Sequence, residues 1–180
     1  YLNLHNKEFP EGFVRGQIVP GEMSTRIFEL SDAQLVPYKV SGSDGAGYIT
    51  LNHQKSTVRV NAFLNTENSA IAAHIHQGRF GENGSPIMTL KQNIENPNHW
   101  FTDEQIVTAS TFDAISRGMS YINVHTDAFP DGEVRGQIVS EQQQVLTFSL
   151  NSLQSPDPRV SEQSGVGSLV LDAATSNINV

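Results

Sequence analysis

An all-β sandwich or barrel is the fold class this sequence predicts, and two observations predict it. Short segments of alternating character run along the chain between turn clusters such as SGSDGAG (41–47), GENGSP (81–86) and FPDGE (129–133). Many short strands punctuated by Gly, Pro, Asn and Asp are the pattern of a sandwich or barrel. The chain also repeats itself. Residues 1–19 recur as 121–139, displaced by 120 positions without a gap, from Tyr1/Tyr121, Asn3/Asn123 and His5/His125 through VRGQIV at 14–19 and 134–139. Residues 25–60 match 145–180 at the same displacement, including Phe28/Phe148, Leu30/Leu150, Val40/Val160, Ser41/Ser161, Gly47/Gly167 and Val60/Val180. A fixed period is the signature of a repeat array.

Taken in order, strands are expected near 1–5 and 13–19, which flank the first Phe-Pro-Glu-Gly turn, and at 25–31. The Gly-rich 41–47 cluster separates that strand from 46–52, and 56–64 follows. Further strands are expected at 70–77, at 86–91 after the GENGSP turn, and at 119–125 and 133–139, which repeat the first pair. The segments 144–150 and 166–172 repeat 25–31 and 46–52. One stretch breaks the pattern. Ile106, Val107, Phe112 and Ile115, with Asp103/Glu104 before them and Gly118 behind, predict one short helix near 103–117. Trp100, Phe28 and Phe148 read as core residues.

The period sets the domain boundaries. Residues 25–140 form a complete unit, 1–22 the C-terminal strands of a preceding one, and 145–180 the N-terminal part of a following one. The expectation is a window on a longer tandem protein; the alternative is that neighbouring chains complete each other's partial units. The formal charge of −8 argues against nucleic acid or an anionic membrane as partner. Absence of cysteine excludes thiolate metal sites. No run approaches the roughly 20 apolar residues of a membrane helix, so no membrane insertion is expected.

His74 and His76 stand at i and i+2 in SAIAAHIHQG. On a strand both imidazoles project from one face while Ile75 projects from the other. In YINVHT, Asn123 and His125 share one face and Ile122 and Val124 the other. Two strands of this kind can bring three imidazoles to one ion, and a cysteine-free all-nitrogen set leans toward copper, with zinc second. His5, the equivalent of His125 in the preceding repeat, shows that this histidine belongs to the unit. An isolated HxH pair on a surface strand is otherwise a pair of solvated side chains. His53 maps onto Ala173 and reads by default as solvated; His99 beside Trp100 is a candidate fourth ligand or a flank of the core.

Arg15 and Arg135 recur in VRGQIV. Such an arginine steers an anion toward a metal, or makes a structural ion pair or caps backbone carbonyls. Pro10/Pro130 and Gly12/Gly132 set a turn whose job is geometric. Glu82, Asn83 and Asp131 are calcium-type donors, but their spacing matches no EF-hand. The sequence carries no nucleophile elbow, no phosphate loop and no supported pair of acid/base carboxylates.

At AAHIHQG (72–78), SPIMTL (85–90), Trp100, ISRGMSYINVHT (115–126) and FPDGEVRGQI (129–138), the chain resembles the CHRD domain family, the repeat named from chordin and found in many secreted bacterial proteins. It departs from that family's more common Gly-Pro after the HxH pair, having Gln77-Gly78-Arg79. The order of its motifs is also distantly similar to Cu,Zn superoxide dismutase. That resemblance implies a Greek-key sandwich with His74, His76 and His125 as copper ligands and Arg135 as the anion guide. It offers no counterpart to the bridging histidine or the zinc ligands, so the implied site is mononuclear. The resemblances together imply a secreted or cell-surface tandem CHRD-repeat protein with a structural, assembly or interaction role. Its expected partners are neighbouring repeats or other copies of itself, as in a filament. The alternatives are a copper-dependent redox enzyme and a binder of growth-factor-like or other basic proteins.

Overall fold

The structure, a computed structural model, describes residues 1–154, 156 and 164–179. The repeat matches at Val160, Ser161 and Val180 lie outside the described residues. Strands β1 (Leu2–Leu4) and β2 (Val14–Gly16) form a ribbon. Then come β3 (Met23–Ser31), β4 (Asp44–Asn52), β5 (Thr57–Asn65), β6 (Ala70–Gln77), β7 (Pro86–Thr89), β8 (Lys91–Gln92), β9 (His99–Phe101) and β10 (Gln105–Ile106). A helix, α1 (Ala109–Ser116), precedes β11 (Ser120–Thr126) and β12 (Val134–Ile138). The chain continues as β13 (Gln143–Asn151), β14 (Ser164–Asp172) and β15 (Asn177–Asn179), a separate three-stranded sheet.

Residues 23–138 make one ten-stranded sheet in the order β7-β6-β11-β12-β3-β4-β5-β9-β8, with β10 on β5. It folds over itself as a barrel-like sandwich. Its two halves are joined through a single bridge, Arg135↔Ser31. At the far edge the chain passes at Leu90 from β7 into β8. Alternation decides what lies inside: Phe28, Leu30, Ile49, Leu51, Val58 and Val60 from one layer meet Ile75, Ile122, Val124, Val134 and Ile138 from the other. Trp100 is buried as expected, on the short strand β9.

Three expectations need correction. The helix spans 109–116 only, because residues 105–106 pair with β5 as an extra edge strand and Thr108 caps the helix, its Oγ1 accepting from Thr111 N. Ile106, expected on the helix's apolar face, is exposed on that strand. The segment 86–91 is two strands, since Leu90 turns inward between layers and its N–H bonds Ala73 O. Phe148 is 38% exposed, where Phe28 is 3% exposed. Among the described residues nothing lies over Phe148 as β11 and β12 lie over Phe28.

Candidate metal centre

The centre sits on the outer face of the β6–β11 pair. Antiparallel register sets Tyr121 opposite His76 and Asn123 opposite His74, with His125 opposite Ala72. The same register puts Ile75 opposite Ile122 and Ala73 opposite Val124 on the core side. Residues on a buried sheet face fix register strongly, because a one-residue slip would expose all of them. The core thus dictates that the imidazoles of His74, His76 and His125 emerge together.

Their ring centroids are 5.3 Å apart for His74–His125, 5.9 Å for His74–His76 and 6.3 Å for His76–His125. One ligand nitrogen from each lies within 4.8 Å of the others. This is the one such group of histidine, cysteine or acidic residues among the described residues.

Two of the three rings have a fixed orientation. His76 Nδ1 bonds Gly84 O at 2.8 Å, and His125 Nδ1 bonds Pro130 O at 2.9 Å. A carbonyl only accepts, so both Nδ1 atoms carry a proton, and in the neutral ring the lone pair falls to Nε2. Those two Nε2 atoms are buried and have no hydrogen-bond partner. Burial, then the neighbouring imidazoles, lowers the proton affinity of His74 below the ordinary histidine value. His76 is lowered as well: burial dominates, His125 and Arg135 add to it, and the bond to Gly84 opposes it.

The turn after β11 aims His125. Gly132 has φ +130°, and a Cβ there would lie 2.5 Å from Asn123 Oδ1, so only glycine fits. Asn123 Nδ2 donates to Asp131 O across the same turn. On the other side Tyr121 stacks on His76, with centroids 5.0 Å apart and an interplanar angle of 12°. Arg135 covers the opposite face of that tyrosine at 3.5 Å.

Arg135 is 1% exposed and spends its guanidinium on Arg79 O, Asn83 Oδ1 and Gln137 Oε1. Burial lowers it to about 10, against the opposing influence of Tyr121 and Glu82, so it remains a cation at neutral pH. The carbonyl-capping alternative is the one its bonds realise. Its position holds the 79–84 loop that carries Gly84, and with it His76. A cleft of about 400 Å³ opens over His76 and His125, bordered by Lys39, Asn83, Tyr121 and Arg135.

The remaining candidates lie elsewhere. His99 stacks on Phe63 and bonds Asn61 Oδ1, and His53 bonds Ser24 Oγ. His5 bonds Pro10 O just as His125 bonds Pro130 O, yet no second imidazole stands beside it among the described residues. The calcium-type donors do not converge: Glu82 accepts from Arg79 N, Asn83 donates to Val36 O, and Asp131 pairs with Lys39.

Comparison with known proteins now bears on this geometry. The CHRD domain profile matches residues 27–138, which take in the strands of the barrel and all three histidines. The chain belongs to the CHRD domain family. Chordin of Xenopus laevis is 28% identical to it over 154 residues, a match that takes in 77% of this chain and 16% of chordin. The chain therefore spans about one-sixth of the relative it matches. No solved structure gives a significant match. Within this CHRD unit, sequence reasoning missed Tyr121, although its recurrence as Tyr1 was a signal. It also missed the carbonyls of Gly84 and Pro130, which no side-chain pattern could reveal.

Proposed function

We propose that this chain is an extracellular interaction and assembly module, part of a tandem CHRD array, whose complete unit binds one copper ion through His74, His76 and His125. The observation that carries the metal reading is the pair of buried, unpartnered Nε2 atoms on His76 and His125. A buried polar atom left without a partner costs about 1–3 kcal/mol. A metal ion would take up both lone pairs. An Nδ1–H held by a backbone carbonyl is also the outer-shell arrangement typical of ligating histidines. Three neutral imidazoles without thiolate or carboxylate favour copper, with zinc as the competitor. When bound, copper would supply Lewis-acid and one-electron chemistry. The chain's own residues orient the rings, close the core side with Ile75, Ile122 and Val124, and leave the cleft side open.

The array reading is supported by equal registers at a displacement of 120. Leu2↔Gly16 matches Ile122↔Gly136, and Met23↔Asn52 matches Gln143↔Asp172. On this reading 1–22 and 145–180 are parts of flanking CHRD units, and the partners are neighbouring repeats or further copies of the chain. The extracellular reading rests on the similarity to chordin. No helix among the described residues is long and apolar enough to cross a membrane.

Elemental analysis and copper titration of the purified chain test the metal reading. One copper per chain is expected, lost in His74→Ala and retained in His5→Ala. Equal copper uptake by native protein and His74→Ala, or none by either, would end it. A redox role is the second reading, favoured by the cleft that opens on His76 and His125 beside Lys39. Superoxide consumption by the copper-loaded chain decides that role, and a rate matching metal-free buffer rejects it.

A further inference from the structure

The complete unit is not followed by a free linker. Between β12 and β13 the chain makes one tight turn, in which Gln143 N bonds Ser140 O at 3.0 Å and Ser140 N bonds Gln143 Oε1 at 3.1 Å. The β13–β15 sheet then lies against the unit it has just left. Ser168 Oγ donates to Ala33 O at 3.1 Å, and Val170 is only 4% exposed. Both belong to the face of β14 opposite Leu169 and Leu171, the face that would be solvated in an isolated unit. Gly118 has φ +76°, and a Cβ on it would lie 2.4 Å from Gln143 Oε1, so the approach needs glycine.

At the other end of the unit the equivalent residues 120 positions earlier also come together, around a cleft. Gln17, Val19 and Met23 border a small cleft together with Thr50, a residue of β4. Gln137, Val139 and Gln143 border another together with Val170, a residue of β14. Gln17 corresponds to Gln137, Val19 to Val139, Met23 to Gln143 and Thr50 to Val170.

We infer that the outer face of each unit's second long strand, β4 or β14, is a docking face for the end of the unit before it. The partner this face fits is another CHRD unit, held by one repeated contact. Domains joined through small polar contacts ordinarily move against each other. Here a short turn, a buried valine and a hydrogen bond across the junction oppose that motion. Successive units therefore take one fixed orientation, and the array is a stiff rod that sets its sites at a constant spacing. This inference rests on the tandem reading above.

Because the chain lacks cysteine, two can be placed at will. Glu67→Cys and Ala174→Cys, spin-labelled in the full chain, report the distance across the junction. A single narrow distance distribution is expected, and it should lose its single peak in Val170→Asp and in Ser168→Glu. Ser168 is replaced as well as Val170 because glutamate there removes the donor to Ala33 O and sets a carboxylate against that carbonyl. Amide exchange on the same samples separates the possible failures. A broad distribution with protected amides in β13 and β14 overturns the docking and leaves the repeat standing. Unprotected amides in the native chain overturn both. A narrow distribution unmoved by either substitution overturns the docking face.

Discussion

Residues 121–139 and residues 1–19 fold alike and are buried differently. Both make the same strand pairing, both have a turn glycine at positive φ, and both bond a histidine Nδ1 to a proline carbonyl. In both an arginine covers a tyrosine ring, at 3.7 Å for Arg15 over Tyr1 and 3.5 Å for Arg135 over Tyr121. Yet Ile122 and Ile138 are fully buried, whereas Leu2 is 59% and Ile18 is 73% exposed. The same contrast separates Leu30, at 1%, from Leu150, at 50%. The ribbon, its turn and the imidazole's aim are thus local properties. Burial and the meeting of three histidines come from β3–β9 packing over the ribbon and β6 pairing with it.

The largest test of that contrast is a truncation on each side of it. Leu30→Ala should cost about 2–5 kcal/mol in chemical denaturation. Leu150→Ala, half exposed, should cost well under that, since little apolar surface returns to water. Equal losses would mean that the two sheets are equally packed.

Next is the turn. Gly132→Ala forces a side chain into Asn123 and a left-handed backbone, at a cost of about 1–3 kcal/mol. At the proposed copper site it should also weaken metal uptake, because Pro130 O then no longer holds His125. Gly12→Ala meets Asn3 in the same way but should leave copper binding unchanged, and isothermal titration distinguishes the two.

The smallest expected effect is on pH dependence. In the folded state His74 and His76 bind protons less readily than in the unfolded chain, because burial disfavours the charged rings. The unfolded chain therefore takes up more protons as pH falls below about 6.5, and stability declines in that window. Above it these two residues contribute no slope. Denaturation midpoints of the metal-free chain at a series of pH values should show the decline, and it should shrink in the double variant His74→Gln/His76→Gln.

Much of the fold was legible because it was written in short-range patterns. Alternation located the long strands, and the FPDGE cluster located a turn, whereas SGSDGAG runs into β4 from Asp44 onward. The period of 120 marked which segments would share a local structure. The i and i+2 spacing of His74 and His76 told which face they share, since strand geometry leaves no alternative. What pattern reading lost were the weak edges. Residues 99–101 and 105–106 become strands only because β5 offers them unpaired backbone groups, and the helix starts late for the same reason.

By itself, then, the sequence determined an all-β chain, its repeat, its turns and the common face of each histidine-bearing strand. Those follow from bond geometry and the two-residue period of a strand. Only the tertiary structure decided that β6 and β11 are neighbours in the register that joins His125 to His74 and His76. It also decided that Arg135 is a buried clamp on the 79–84 loop. These depend on which distant surfaces exclude water together, and no local pattern carries that information.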